Sequence, residues 1–123
     1  MKKTILLLLP AIALCFVFSC KHEPILPEQQ VSFHSDILPI LRGSCQHAGC
    51  HSPFDPNAEF PLDSVITEVR EYVKEGEPED SEIYERITEE DEDKRMPQVP
   101  YEKLTDRQIK LIYIWIAQGA KDN

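Results

Sequence analysis

Residues 45–51 read Cys-Gln-His-Ala-Gly-Cys-His, two thiols with four residues between them and an imidazole directly after the second. The chain has 4 cysteines in 123 residues, and the other two, Cys15 and Cys20, fall in or at the end of an apolar N-terminal run. Cys45 and Cys50 are therefore the thiols left for the folded part of the chain. Any fold must hold both close together and give the adjacent His51 something to do.

The N-terminus sets the compartment in which those thiols work. Lys2 and Lys3 precede an apolar stretch from Ile5 to Phe18, about 14 residues and interrupted by Pro10, which is short of the roughly 20 that a spanning helix needs and has the layout of an export signal. It ends in Val17-Phe18-Ser19-Cys20, which resembles the lipobox of bacterial lipoproteins, with a small residue before the cysteine that takes the lipid. The expected organisation is a lipoprotein signal peptide over 1–19, a tether over 20–31 anchored through lipid on Cys20, and one domain over 32–123. The tether carries two prolines and no periodicity. Outside the cytoplasmic membrane disulfides are allowed, and c-type haem is attached there as well.

About 104 residues would remain after cleavage, enough for one small domain. Loss of Lys2 and Lys3 takes the formal charge from −9 to about −11, which argues against nucleic acid as a partner and suits solubility or a basic partner.

The pattern of the domain is helical, with no stretch that alternates like a half-buried strand. Ser35 and Asp36 are cap-type residues ahead of Ile37, Leu38, Ile40 and Leu41, predicting a short helix that delivers the chain to Cys45, with Pro39 tolerated in its first turn. Val65, Val69, Tyr72 and Val73 share one face of a second helix, with Gly76 just past its end. A third, capped by Asp80 or Ser81, offers Ile83, Tyr84 and Ile87 for burial. The last opens on a capping box of Thr105 and Gln108, presents Ile109, Ile112, Trp115 and Ile116, and ends at Gly119. Proline-bearing loops over 51–61 and 89–100 join these helices. Loops of that length are uncommon in a small domain unless something functional orders them.

Three chemistries fit Cys45, Cys50 and His51. A disulfide would close a short loop but leave His51 and the long loops without a purpose. Zinc would recruit His47 as a fourth ligand, with Cys50 and His51 an awkward adjacent pair for one tetrahedral ion. A c-type haem uses all three side chains: both sulfurs join the ring covalently and His51 coordinates the iron. The common spacing is two residues; here Gly49 gives the backbone freedom to bulge over four. For the other face of the iron the candidate is Met96, the one methionine beyond Met1, stiffened by Pro97 and suited to raising the reduction potential. His34 is its rival. Lys94 and Arg95 are candidates for pairing with haem propionates or are solvated.

Taken in order, "FHSDILPIL", "CQHAGCH", "GEPEDSEIYERIT", "DKRMP" and "LTDRQIKLIYIWIAQGA" resemble the small monohaem cytochrome c domains of bacterial envelope proteins, including the planctomycete type, over about 90 residues. The resemblance implies an all-α, cytochrome c-like fold of four or so short helices with long loops around one haem, its first and last helices packed together. It implies covalent haem c on Cys45 and Cys50 and axial ligation by His51 and Met96. The function expected is extracytoplasmic electron transfer rather than catalysis, with redox proteins as partners, the membrane reached through the lipid on Cys20, and a periplasmic or outer-membrane location in the cell envelope. The alternative is a membrane-anchored, non-redox interaction module with a Cys45–Cys50 disulfide.

Overall fold

The computed structural model describes residues 28–56, 58 and 69–123; the signal-like run, Cys20 and most of the expected second helix lie outside them. The described residues are helical and contain no strand, as expected for an all-α domain. Three α-helices have both ends described, α1 (Leu38–Ser44), α2 (Glu82–Thr88) and α3 (Asp106–Ala117), and a π-helical turn over Phe33–Ile37 and a 3-10 turn over Pro78–Asp80 precede the first two. Val69 and Arg70 form the end of a further helix.

The first helical unit begins earlier than its sequence suggested. Ser32, not Ser35 or Asp36, is the cap: its hydroxyl accepts from the Ser35 N–H at 3.1 Å, and Asp36 reaches back to accept from the Ser32 N–H at 2.9 Å. Pro39 then explains the wide turn. A proline ring collides with the carbonyl four residues back in an α-helix, and the i→i+5 bonds from Ile37 to Ser32 and from Leu38 to Phe33 open the backbone ahead of it.

α3 behaves as predicted. Both halves of the Thr105–Gln108 capping box are made, and Ile112, Trp115 and Ile116 are buried. Its far end closes in a Schellman arrangement, with Gly119 N–H on the Ile116 carbonyl and Ala120 N–H on the Trp115 carbonyl, both 2.9 Å. Gly119, at φ 95°, takes the left-handed position that this ending reserves for glycine.

α3 packs against the Phe33–Ile37 turn, not squarely along α1. The Phe33 and Trp115 rings meet at 5.4 Å between centroids, and the seam is sewn by backbone. Asn123 accepts from Phe33 N–H through its side chain at 2.9 Å and from His34 N–H through its carbonyl at 3.1 Å, while Gln118 accepts from Val31 N–H at 2.8 Å. Val31, Phe33, Ile37, Leu38, Ile40 and Leu41 share one core with Val69, Ile87, Leu104 and the buried face of α3.

The second helix stops at Arg70, short of the predicted end near Gly76. Tertiary partners take the groups that would have continued it. The Lys74 N–H donates to the Ser81 hydroxyl at 2.9 Å, the Tyr72 carbonyl accepts from Ile83 N–H at 3.1 Å, and Gly76 N–H donates to the Ile116 carbonyl at 2.9 Å. Ser81 occupies the predicted cap position of α2 but makes no capping bond; its buried hydroxyl also donates towards the Glu77 carbonyl, at 2.9 Å.

Removing the largest member of the seam tests this account. Trp115→Ala deletes the ring packed on Phe33 and the indole bond to the Lys121 carbonyl. It should lower stability by about 3–5 kcal/mol, read as a shift in the urea midpoint.

Candidate functional site

α1 ends at Cys45, whose N–H still bonds the Leu41 carbonyl at 2.9 Å. The spacer then folds into a tight turn: Cys50 N–H donates to the His47 carbonyl at 3.0 Å, with Gly49 at φ 78° in its third place. That is the left-handed position of a type II turn, and no atom lies within 4 Å of where a Cβ on Gly49 would stand, so backbone conformation rather than space selects glycine. Asp55 accepts the Gly49 N–H at 2.7 Å, and His51 N–H returns to the Cys45 carbonyl at 3.3 Å. The four-residue spacer thus doubles back, and the chain at His51 is tied directly to Cys45.

Met96 arrives from the other side of the sequence. The loop expected over 89–100 is a loop, and the Met96 N–H donates to the Arg86 carbonyl at 2.8 Å, taking up one of the carbonyls that the last turn of α2 leaves without an intrahelical partner. Arg95 folds the segment beyond. Its guanidinium donates to the Pro97 carbonyl, and to the Tyr101 carbonyl at 3.2 Å. The side chain is 7% exposed, and its Nε is buried without a partner. Arg95 is therefore a buried clamp on the methionine loop, not a solvated residue. Lys94 is exposed and pairs with Asp91 at 3.2 Å.

These segments enclose a cavity of about 690 Å³, within the usual range for sites that take a cofactor-sized molecule. Cys45, Cys50, His51 and Met96 all line it, beside the apolar Leu41, Val69, Ile83, Ile87 and Leu104. Two sulfurs for attachment, an imidazole and a thioether on one apolar cavity form the donor set that a c-type haem requires, so the residues present fit the group. Both cysteines are free thiols. Burial pushes the Cys45 thiol up to about 11, with the neighbouring Cys50 adding to the shift, so at neutral pH it stays protonated.

His34 and His47 are engaged by other side chains. His34 pairs with Asp122 at 2.8 Å and sets its ring edge-on to Phe33, and it does not line the cavity. His47 lies flat on Tyr101. Among the described residues no three His, Cys, Asp or Glu side chains gather as a metal cage, so the zinc alternative gains no support. Sequence reasoning missed the burial of Arg95 and the use of Tyr72 and Tyr101 as cavity walls. An arginine two residues from a proline, in an otherwise acidic loop, carries no periodic signal of burial.

The thiol chemistry is measurable on the haem-free chain. Thiolate is the reactive form, so iodoacetamide should alkylate Cys45 at a rate that climbs until pH approaches 11, instead of levelling in the ordinary thiol range near 8.5. Tandem mass spectrometry across a pH series reads it, and a plateau in the ordinary range would contradict the burial described.

Residues 48–98 match the family model described as planctomycete cytochrome C, a span that takes in Cys50, His51 and Met96 and much of the cavity wall. No curated protein and no solved structure shows a match. Together with the all-α fold and the donor set of the cavity, the match supports a cytochrome c domain of the planctomycete type around these residues, a family whose cofactor is covalently bound haem c.

Proposed function

We propose that this protein is a lipid-anchored, extracytoplasmic electron carrier, holding its haem through thioether bonds from Cys45 and Cys50 and its iron between His51 and Met96. One observation carries the reading: four side chains that sequence alone singles out, drawn from segments about 45 positions apart, line the same cavity. When bound, haem supplies a one-electron couple.

The rest is the work of the chain. Cys45 and Cys50 would hold the haem by adding their S–H groups across its vinyls, each sulfur taking one vinyl carbon and its hydrogen the other. Free thiols are the form this step consumes, and the raised Cys45 thiol resists both thiolate chemistry and premature disulfide formation. Met96 offers a neutral thioether, which favours the reduced state of iron and raises the potential. Leu41, Val69, Ile83, Ile87 and Leu104 keep water from the site, and a drier surround also disfavours the more highly charged state. With His51 and Met96 both held by the metal, no position would be open to a substrate, so the site would pass electrons instead of activating a small molecule.

The partners would be redox proteins. An acidic chain, −9 in formal charge, is drawn to basic surfaces rather than to nucleic acid. Lipid on Cys20 would hold the domain at an envelope membrane, periplasmic or outer, with the segment up to Val31 as its tether.

Purification from a host that matures c-type cytochromes should yield protein that keeps its haem stain on a denaturing gel; a wild-type chain without stain rejects covalent attachment. Met96→Ala should keep the stain while lowering the reduction potential by on the order of a tenth of a volt, within the ~0.8 V span that axial ligands command. An unchanged potential rejects Met96 as ligand.

The anchor has its own test. Cys20→Ser should move the protein from the membrane fraction to the soluble fraction of the envelope, or leave it as an uncleaved precursor, with the haem spectrum unaltered. A Cys20→Ser chain that is still processed and still sediments with membranes rejects lipidation at this residue.

A further inference from the structure

The spacer between the cysteines contains an aromatic side chain that the chemistry above does not use. The His47 ring lies on Tyr101 with centroids 3.8 Å apart and planes 3° from parallel. His47 stands between the two attachment cysteines and Tyr101 follows Met96 by five residues, and both line the cavity. The stack is thus a direct link between the segment that would bind the ring covalently and the segment that would present the sixth ligand.

Neither ring hangs on a loose support. The His47 carbonyl receives the Cys50 N–H at 3.0 Å, inside the turn that Gly49 makes possible. The Tyr101 N–H donates to the Gln98 carbonyl at 2.9 Å, and its own carbonyl receives Arg95 at 3.2 Å. Both rings therefore spring from hydrogen-bonded backbone, so their stack joins two ordered turns. The long spacer then has a use. Its extra length holds a side chain on Tyr101, which a two-residue spacer has less room to do.

Resting on the haem reading above, we infer that His47 and Tyr101 are positioning residues, a ring clasp that ties the cysteine turn to the Met96 loop and sets how readily Met96 leaves the iron. The property required is a flat ring at position 47, not an imidazole nitrogen.

The test uses the haem-loaded full chain in its ferric state. Imidazole is added, and displacement of the thioether is followed by loss of the methionine–iron charge-transfer absorption. His47→Ala and Tyr101→Leu should each speed displacement about fivefold, the scale that a stacked aromatic pair supports, whereas His47→Phe should stay within about twofold of wild type. Hydrogen exchange at the Tyr101 amide in the same samples should quicken in His47→Ala and Tyr101→Leu and not in His47→Phe. A His47→Ala chain that behaves as wild type, or a His47→Phe chain as fast as His47→Ala, overturns the clasp. If His47→Ala loads no haem, Tyr101→Leu, which leaves the cysteine turn intact, decides the matter. Met96→Ala separates the two levels of inference. Should it keep the wild-type absorption, Met96 is not the ligand and the haem-ligation reading fails, while the Tyr101 exchange pattern still decides whether the rings hold the two segments together.

Discussion

The seam between the Phe33–Ile37 turn and the last helix is the constraint on which the rest of this domain hangs. Phe33 meets Trp115 in the core, and backbone bonds to Asn123 and Gln118 close the seam from its edge. Fixing the turn fixes α1, which follows it without a break, and α1 ends at Cys45. The position of Cys45 is therefore inherited from packing more than 60 residues away in sequence. That is economical for a domain of this size, since a single apolar cluster both stabilises the fold and orients the thiol.

The second wall of the cavity is built differently, from a loop with few apolar residues to bury. Burial of Pro97 and the Arg95 side chain comes with hydrogen bonds that replace a hydrophobic face: Met96 to the end of α2, Arg95 to the carbonyls of Pro97 and Tyr101. A buried guanidinium is expensive to desolvate and is tolerated when its donors are used. Here two of its nitrogens are used and Nε is left over, the sort of incompletely satisfied buried polar group found where function outweighs packing. The loop that presents the thioether is thus held by directional contacts, which place an atom more sharply than apolar packing in a segment of this composition.

How much of this was legible in the sequence depends on the kind of signal each element carries. The last helix could be read in full because its capping box, its apolar face and its closing glycine are local patterns that tertiary structure did not override. The spacer could also be read, since Gly49 stands where a turn needs a positive φ. The second helix was overrun at its end because Ser81 and Ile83, distant in the pattern, claim the backbone of Lys74 and Tyr72. The start of the first helix was misplaced because Ser32, Ser35 and Asp36 are all cap-type residues, and the choice among them falls on the one whose neighbours bury Phe33. In the site, the donors were visible as rare residue types in a telling order. The groups that hold them, Arg95, Tyr101 and the carbonyl of Arg86, were not, because a charged residue in a charged loop and a backbone carbonyl have no distinguishing pattern.

The same contrast bears on what haem does for the fold. A cavity of about 690 Å³ is large beside the apolar cluster that the described residues bury, and apolar walls facing water forfeit the contacts that otherwise stabilise a small protein. A group that binds the folded chain and not the unfolded one shifts the equilibrium towards folding, and a covalently attached group cannot dissociate. The seam at Phe33 and Trp115 does not touch the cavity and contributes its stability with or without haem. The methionine loop has no such reserve: its order rests on a few hydrogen bonds, the ring pair at its end and whatever fills the space it encloses. The haem-free chain should therefore be ordered first around the seam and last around Met96, so that ligation by Met96 would complete a half-built domain, the reverse of a ligand entering a finished one.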